Sequence, residues 1–491
     1  MNYKAISYML GKIFIILGLL MILPLLICVY YTLNGFAEAS IYSFIIPIVS
    51  FLGLGLLLKS NKPKNFNIYA KEGFIICGLA WIIMSVLGAI PFVISKSIPN
   101  IIDAIFESIS GFTTTGATIL NDIESLPKSI LFWRSFTHWI GGMGILSFMI
   151  AIVPKAKGNS MFIMKAEVPG PSTSKVVSKI ADSARILYII YFAMTISEIF
   201  ILYFGNKILG DNIRFFDCVV TSFSNAGTGG FAVLNNSIYG YHSTFTEWVL
   251  IVFMFLFGVN FNLYYFLLTK KIKNIFKDEE LRGYILINLI CVALITLNIY
   301  DMYGNLSTAV RHAFFNVNTV MSTTGFGTED FNLWPTFSKV ILMVVMCFGS
   351  CAGSTGGGIK IVRIELLVKQ MHCDFKRMIR PHSVLNVKLN HKTVDNKMMS
   401  VIKSYLNIYI ITMVASVLLV STNGLDTTTN FTAVLSCLNN VGPGLELIGP
   451  SGNYSVFPVF SKLILMIDML AGRLELFPML LLFSPSTWKK R

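Results

Sequence analysis

Four short stretches of this chain end at a glycine flanked by small or hydroxyl residues, and they carry its most distinctive chemistry. They read Ser110-Gly-Phe-Thr-Thr-Thr-Gly116-Ala-Thr, Ser224-Asn-Ala-Gly-Thr-Gly229-Gly-Phe, Met321-Ser-Thr-Thr-Gly325-Phe-Gly and Asn439-Asn-Val-Gly442-Pro-Gly. Thr115, Thr228 and Thr324 each stand immediately before their glycine, and Val441 takes the fourth place. With Thr114, Gly227, Thr323 and Asn440 one step earlier, these residues and Gly116, Gly229, Gly325 and Gly442 form the candidate cation-binding strips. Backbone carbonyls on such a strip can replace the hydration shell of a dehydrated cation. Glycine supplies the backbone angles that the strip requires. No Asp or Glu falls within three residues of the four glycines. A divalent-cation pore would be expected to carry an acidic ring, so the loops point to a small monovalent cation.

The elements that must position these loops recur with them. Each glycine follows a stretch too short to cross a bilayer (103–112, 214–224, 309–321 and 429–439) and sits between two long apolar runs. Apolar runs near 6–33, 41–58, 73–95, 131–153, 183–205, 246–268, 284–300, 338–368, 401–420 and 457–483 predict ten spans. The unit is therefore span, half-helix, glycine loop, span, repeated four times after a two-span preface. The predicted fold is an all-α polytopic membrane protein with four pseudo-symmetric repeats around a central pore. Its expected divisions are 1–64, 65–160, 161–278, 279–385 and 386–491. Irregular backbone at membrane depth is tolerated where it lines a watery cavity, and each half-helix would aim the negative end of its dipole there.

Composition agrees. Of 491 residues, 54% are hydrophobic and 13% charged, with mean hydropathy +0.69; soluble domains carry about 25% charged residues. The net charge of +14 is a topology signal rather than a nucleic-acid site. Segments 34–41, 97–129, 206–245, 301–337 and 422–457 hold only Lys128, Lys207, Arg214 and Arg311. The termini and segments 59–71, 155–180, 270–282 and 369–403 hold most of the other lysines and arginines, which places both termini in the cytoplasm. Lys376, Arg377 and Arg380 form a basic patch suited to an acidic cytosolic partner. The eight cysteines include no CxxC pair and read as buried small hydrophobes. His138 reads as packing or hydrogen bonding near a membrane interface, His382 and His391 as solvated, and Asp103, Glu107 and Asp122 as solvated outer charges ahead of the alternative that they concentrate cations at the mouth. Asn260 and Asn262 read as amides that join helices. An intramembrane enzyme would need converging carboxylates or histidines, and the repeated centre offers Thr, Gly and Asn instead.

One span conflicts with itself. The eighth carries Gly349, Gly353, Gly356, Gly357 and Gly358, and each internal glycine costs a helix about 1 kcal/mol relative to alanine. The segment Ser350, Cys351, Ala352, Gly353, Ser354, Thr355, Gly356, Gly357 and Gly358 is predicted to break into a loop beneath the strips. Arg473, in the last span, costs about 2.5–3.5 kcal/mol at mid-membrane unless carbonyls, Asp468 or Glu475 satisfy it. Loop carbonyls near 350–358 are the better fit, which makes loop and arginine one candidate gate.

The chain resembles the membrane subunits of the Trk/Ktr/HKT potassium-uptake superfamily, specifically the Trk-type branch. The resemblance rests on Gly111-Phe-Thr-Thr-Thr-Gly116-Ala-Thr, Arg134-Ser-Phe-Thr-His-Trp-Ile-Gly-Gly-Met-Gly144, Cys351-Ala-Gly-Ser-Thr-Gly-Gly-Gly-Ile-Lys360 and Gly472-Arg-Leu-Glu475. The two extra N-terminal spans favour that branch. Loop two departs from the pattern at Asn225-Ala-Gly-Thr. The resemblance implies K+ as the transported ion, bound at the strip residues, and a homodimer embedded in lipid in a bacterial cytoplasmic (inner) membrane. It also implies a cytosolic TrkA-type ring of nucleotide-binding regulatory subunits, and places the arginine matching Arg473 beside the 350–358 loop. No Walker or dinucleotide motif appears, so no nucleotide is expected on this chain. An unrelated secondary transporter of cations is the alternative; the repeats, each of two spans in the same orientation, argue against it.

Overall fold

The computed structural model describes residues 1–63, 69–144, 180–383 and 385–488. The end of the span expected over 131–153 and nearly all of the basic segment 155–180 lie outside the described residues. Apart from a two-residue hairpin pairing Lys388–Leu389 with Lys392–Thr393, the described elements are helices. The chain is a multi-pass helical membrane protein.

The preface is a tight helical hairpin. Tyr3–Leu20 and Ile22–Leu33 form one apolar stretch, which packs on Tyr42–Ser60. The two helices cross at Gly11 and Gly55, where a Cβ on either glycine would run into the backbone oxygen of the other. Small residues let apolar helices approach this closely where lipid provides no hydrophobic drive.

Four half-helices then occupy the centre: Ile101–Phe112, Phe215–Ala226, Leu306–Met321 and Thr427–Asn439. They have 12, 12, 16 and 13 residues. At 1.5 Å per residue they fall short of the roughly 30 Å hydrocarbon core. Side-chain caps start three of them: Asn100, Asn305 and Asp426 accept backbone N–H groups of the first turn.

The spans differ from expectation in one respect. Among the described residues, six helices are long and apolar enough to cross a membrane, or seven if one bent pair counts as a single span. The sequence predicted one broken span; the described residues contain three. The sixth bends by 92° between Thr244–Phe257 and Phe261–Leu268, where Gly258 ends one helix and the Asn260 side chain caps the next. The eighth stops at Phe348 and resumes as Ile361–Ile379. The tenth stops at Arg473 and resumes as Phe477–Phe483, across Glu475 and Leu476 with φ of 57° and 64°. Apolar content conceals such breaks, because hydropathy does not register a helix that turns inside the bilayer.

Candidate functional site

Each half-helix ends in the same way. The residue that follows its last turn adopts the left-handed conformation: Thr114, Thr228, Thr323 and Asn440, with φ of 54°, 53°, 59° and 55°. The next N–H reaches back to the half-helix, Thr115 to the Ser110 carbonyl and Gly229 to that of Ser224, both at 2.9 Å. Thr324 to Thr319 at 2.7 Å and Val441 to Ser436 at 2.9 Å repeat the bond, closing Schellman-type caps. Two residues past each left-handed position lies a glycine with positive φ: Gly116, Gly230, Gly325 and Gly442.

This geometry corrects the register of loop two. Gly230, not Gly229, is the counterpart of Gly116, and Gly229 rather than Thr228 occupies the level of Thr115, Thr324 and Val441. Gly227 is a helix C-cap. The Gly229-Gly230 doublet offered two possible positions, and only the cap bond selects between them.

The four loops close a ring. A Cβ on Gly116 would collide with the Gly229 carbonyl oxygen, one on Gly230 with that of Thr324, one on Gly325 with that of Val441, and one on Gly442 with that of Thr115. Loop one meets two, two meets three, three meets four and four meets one, always glycine against carbonyl. Glycine is required at these positions both by φ and by close approach. The half-helix C-termini abut the ring, and each carries a partial charge of about −0.5.

The strips are braced from behind. Ser436 and Tyr454 hydroxyls donate to the Gly442 carbonyl at 2.8 and 2.7 Å, and the Asn440 amide donates to Thr115 Oγ1 at 3.0 Å. Paired hydroxyls lie in loop one (Thr113 and Thr115, 2.8 Å) and in loop three (Ser322 and Thr324, 2.7 Å). His138 does pack and hydrogen-bond, but in the interior of the protein. It is fully buried, with Nδ1 2.8 Å from the Gly111 carbonyl, and a Cβ on Gly229 would fall on its ring. Its spacing of four from Arg134 places both on one face of Lys128–Gly142. Glu107 is not a solvated charge. It is buried against Arg134 at 2.8 Å, and also accepts from Thr118 and the Ile119 N–H. Breaking such a pair costs about 3–5 kcal/mol, so it fixes half-helix one rigidly. Asp103 pairs with Lys462 at 2.6 Å. Asp122 remains exposed, held below the usual carboxylate range chiefly by the Asn235 amide.

The segment from Gly349 to Lys360 lies directly under the ring. The Gly357 N–H donates to Thr323 Oγ1 at 2.7 Å. A Cβ on Gly356 would press on the Ser322 carbonyl, and one on Gly357 on that of Asn439. Ser350 and Ser354 hydroxyls bond each other at 2.7 Å, and Ser354 also donates to the Cys351 carbonyl at 2.7 Å. The kink of the sixth span receives this loop: Cys351 N–H donates to the Gly258 carbonyl at 3.0 Å and Phe261 N–H to the Gly353 carbonyl at 3.1 Å. Asn260 packs against Gly353, so it joins this loop to the kink.

Arg473 is buried and donates to the Thr355 carbonyl at 2.8 Å and to the carbonyls of Gly141 and Gly142. Asp468 instead accepts from Ser416 at 2.7 Å, and Glu475 is bridged to Arg363. The guanidinium thus spans the loop and the end of Lys128–Gly142. His382 and His391 are exposed.

The sequence profile of a family described as cation transport protein, TrkH, matches residues 40–490. The Trk system potassium uptake protein TrkH of Salmonella typhimurium is 34% identical over the whole of both chains. That of Vibrio parahaemolyticus is 31% identical over the same extent. The crystal structure of the potassium transporter TrkH from Vibrio parahaemolyticus superposes with a TM-score of 0.85, at 29% identity, over 100% of both chains. Its relatives are transport proteins, not enzymes. By a match over nine-tenths of its length and by full-length relatives above 30% identity, the chain belongs to the TrkH family of cation transport proteins.

Proposed function

We propose that this chain takes up K+ across the bacterial inner membrane through the four-loop ring. The observation that carries this reading is the closed cyclic order of the loops, glycine against carbonyl at every junction. Thr114, Thr115, Gly116, Thr228, Gly229, Gly230, Thr323, Thr324, Gly325, Asn440, Val441 and Gly442 form the filter, with Gly230 replacing Gly227 in the set. Four half-helix C-termini supply roughly −2 of partial charge to the ring. That suits a single dehydrated monovalent ion, whose hydration shell carbonyls replace. The segment 350–358 and Arg473 act as the gate, because a loop seated directly under the ring and a buried positive charge beside it both oppose cation passage. Expressed in K+-uptake-deficient, K+-starved cells, the chain should drive 86Rb+ influx above empty vector. Influx equal to the vector, with the protein present in the membrane, would refute the reading.

Both termini are cytoplasmic in this proposal. A cysteine placed at exposed Asn236 should then react with an impermeant reagent from outside, and one at exposed Asn386 should not; the reverse pattern would invert the orientation. The protein works as a homodimer in the lipid bilayer. A cytosolic TrkA-type ring binds the nucleotide and docks on the basic face near Lys376, Arg377 and Arg380, while this chain binds none.

A further inference from the structure

The loop beneath the ring enters and leaves at a single carboxylate. Glu280 is the second residue of the helix Glu279–Tyr303, and it is buried. From sequence it is one of three consecutive acidic residues starting a helix, a pattern that ordinarily faces water. Here only Glu279 takes a lysine, Lys369, at 2.6 Å. Glu280 turns inward, and its Oε1 accepts the N–H of Ala352 at 2.6 Å and that of Val362 at 3.3 Å. Ala352 lies on the way into the loop, and Val362 lies in the first turn of Ile361–Ile379, on the way out. One oxygen therefore ties the neck of the loop.

We propose that Glu280 is a latch, a positioning residue that holds the 350–358 loop closed under the ring by joining its entry to its exit. The proposal rests on the gate reading given above. The other bonds that hold the entry are neutral amide-to-carbonyl bonds to the kink of the sixth span, and such groups exchange partners at little net cost. One Glu280 oxygen accepts two N–H groups at once, so moving the loop away breaks the tie between both. Pulling the loop away leaves a buried carboxylate without its donors, which carries the full desolvation penalty. The N-terminus of Ile361–Ile379 further favours a negative charge at that point. Loop displacement is therefore opposed more by Glu280 than by any of these neutral bonds.

The test is 86Rb+ influx in K+-starved cells that lack the regulatory partner, normalised to membrane-inserted protein. Glu280→Ala should raise influx about tenfold, the change expected when bonds worth 1.4 kcal/mol or more hold the closed state. Glu280→Gln keeps an accepting oxygen without the charge and should fall between wild type and Glu280→Ala; it also serves if Glu280→Ala does not accumulate. In a background deleted for Ala352–Gly356, Glu280→Ala should add nothing: the Val362 N–H remains, but the entry that Glu280 joins to it is gone. A general loosening of the fold would not produce that epistasis. Wild-type influx in both Glu280 variants, with Arg473→Ala elevated, overturns the latch alone. Wild-type influx in these and in Arg473→Ala overturns the gate reading as well. A rise that persists in the loop-deleted background shows that Glu280 acts elsewhere, and equally overturns the proposal.

Discussion

Gly230→Ala is expected to lower the preference for Rb+ over Na+ at least tenfold, read as Na+ inhibition of 86Rb+ influx. Two effects act in the same direction. At φ of 81° an L side chain sits in the left-handed region, at a cost of about 1–2 kcal/mol. Its Cβ also lands on the Thr324 carbonyl oxygen of the next loop, a backbone atom with no rotamer by which to escape. The protein must therefore move a carbonyl of the ring, and a tenfold change in preference needs only about 1.4 kcal/mol. Gly116→Ser, at φ of 77° and against the Gly229 carbonyl, should behave in the same way, with a competing hydroxyl added. The contrast that tests the register is Gly227→Ala. Gly227 packs on His138 and is a cap residue outside the strip, so its substitution should reduce the amount of folded protein more than the Rb+/Na+ ratio. An unchanged ratio in Gly230→Ala would remove that loop from the filter.

Arg473→Ala is expected to raise partner-free 86Rb+ influx about tenfold or more. The guanidinium donates to three carbonyls, one on the loop and two at the end of Lys128–Gly142. Charge-assisted bonds of this kind are worth about 1.5–3 kcal/mol each, so their loss frees the loop from its fixed neighbour. The substitution also removes a buried positive charge from beneath the proposed cation site. Arg473→Lys separates the two contributions: it keeps the charge but loses the planar fork, and should lie between wild type and Arg473→Ala. Deleting Ala352–Gly356 should match Arg473→Ala. Wild-type influx in both Arg473→Ala and the deletion, with both proteins in the membrane, would show that loop and arginine are not the gate.

Much of the fold was legible because its signals are local. Hydropathy located the helices, and the glycine stretches located the ends of the half-helices to within a few residues. The break near Gly349 followed from the glycine content, and the loop carbonyl that Arg473 reaches from the poor helical spacing of Asp468 and Glu475; its other partners, the Gly141 and Gly142 carbonyls, had no sequence signal. What escaped depends on tertiary geometry. The register of loop two is decided by one backbone bond, from the Gly229 N–H to the Ser224 carbonyl, which a Gly-Gly doublet does not reveal. Glu107 and His138 read as peripheral because one carries a charge and the other a polar ring. Their partners, Arg134 and the Gly111 carbonyl, bury them at the centre. Kinks at Gly258 and Glu475 lie within apolar sequence that hydropathy scores as continuous. Glu280 faces inward where two distant amide donors meet it, Ala352 on the loop and Val362 in the helix that follows.

In the proposed function, cations pass through the ring formed by the four loops. Its most direct test is anomalous diffraction from crystals in which Tl+ replaces K+. Anomalous density is expected on the axis between the loops, at the level of Thr115, Gly229, Thr324 and Val441. Tl+ density confined to other parts of the protein, with the ring empty at saturating Tl+, would contradict it.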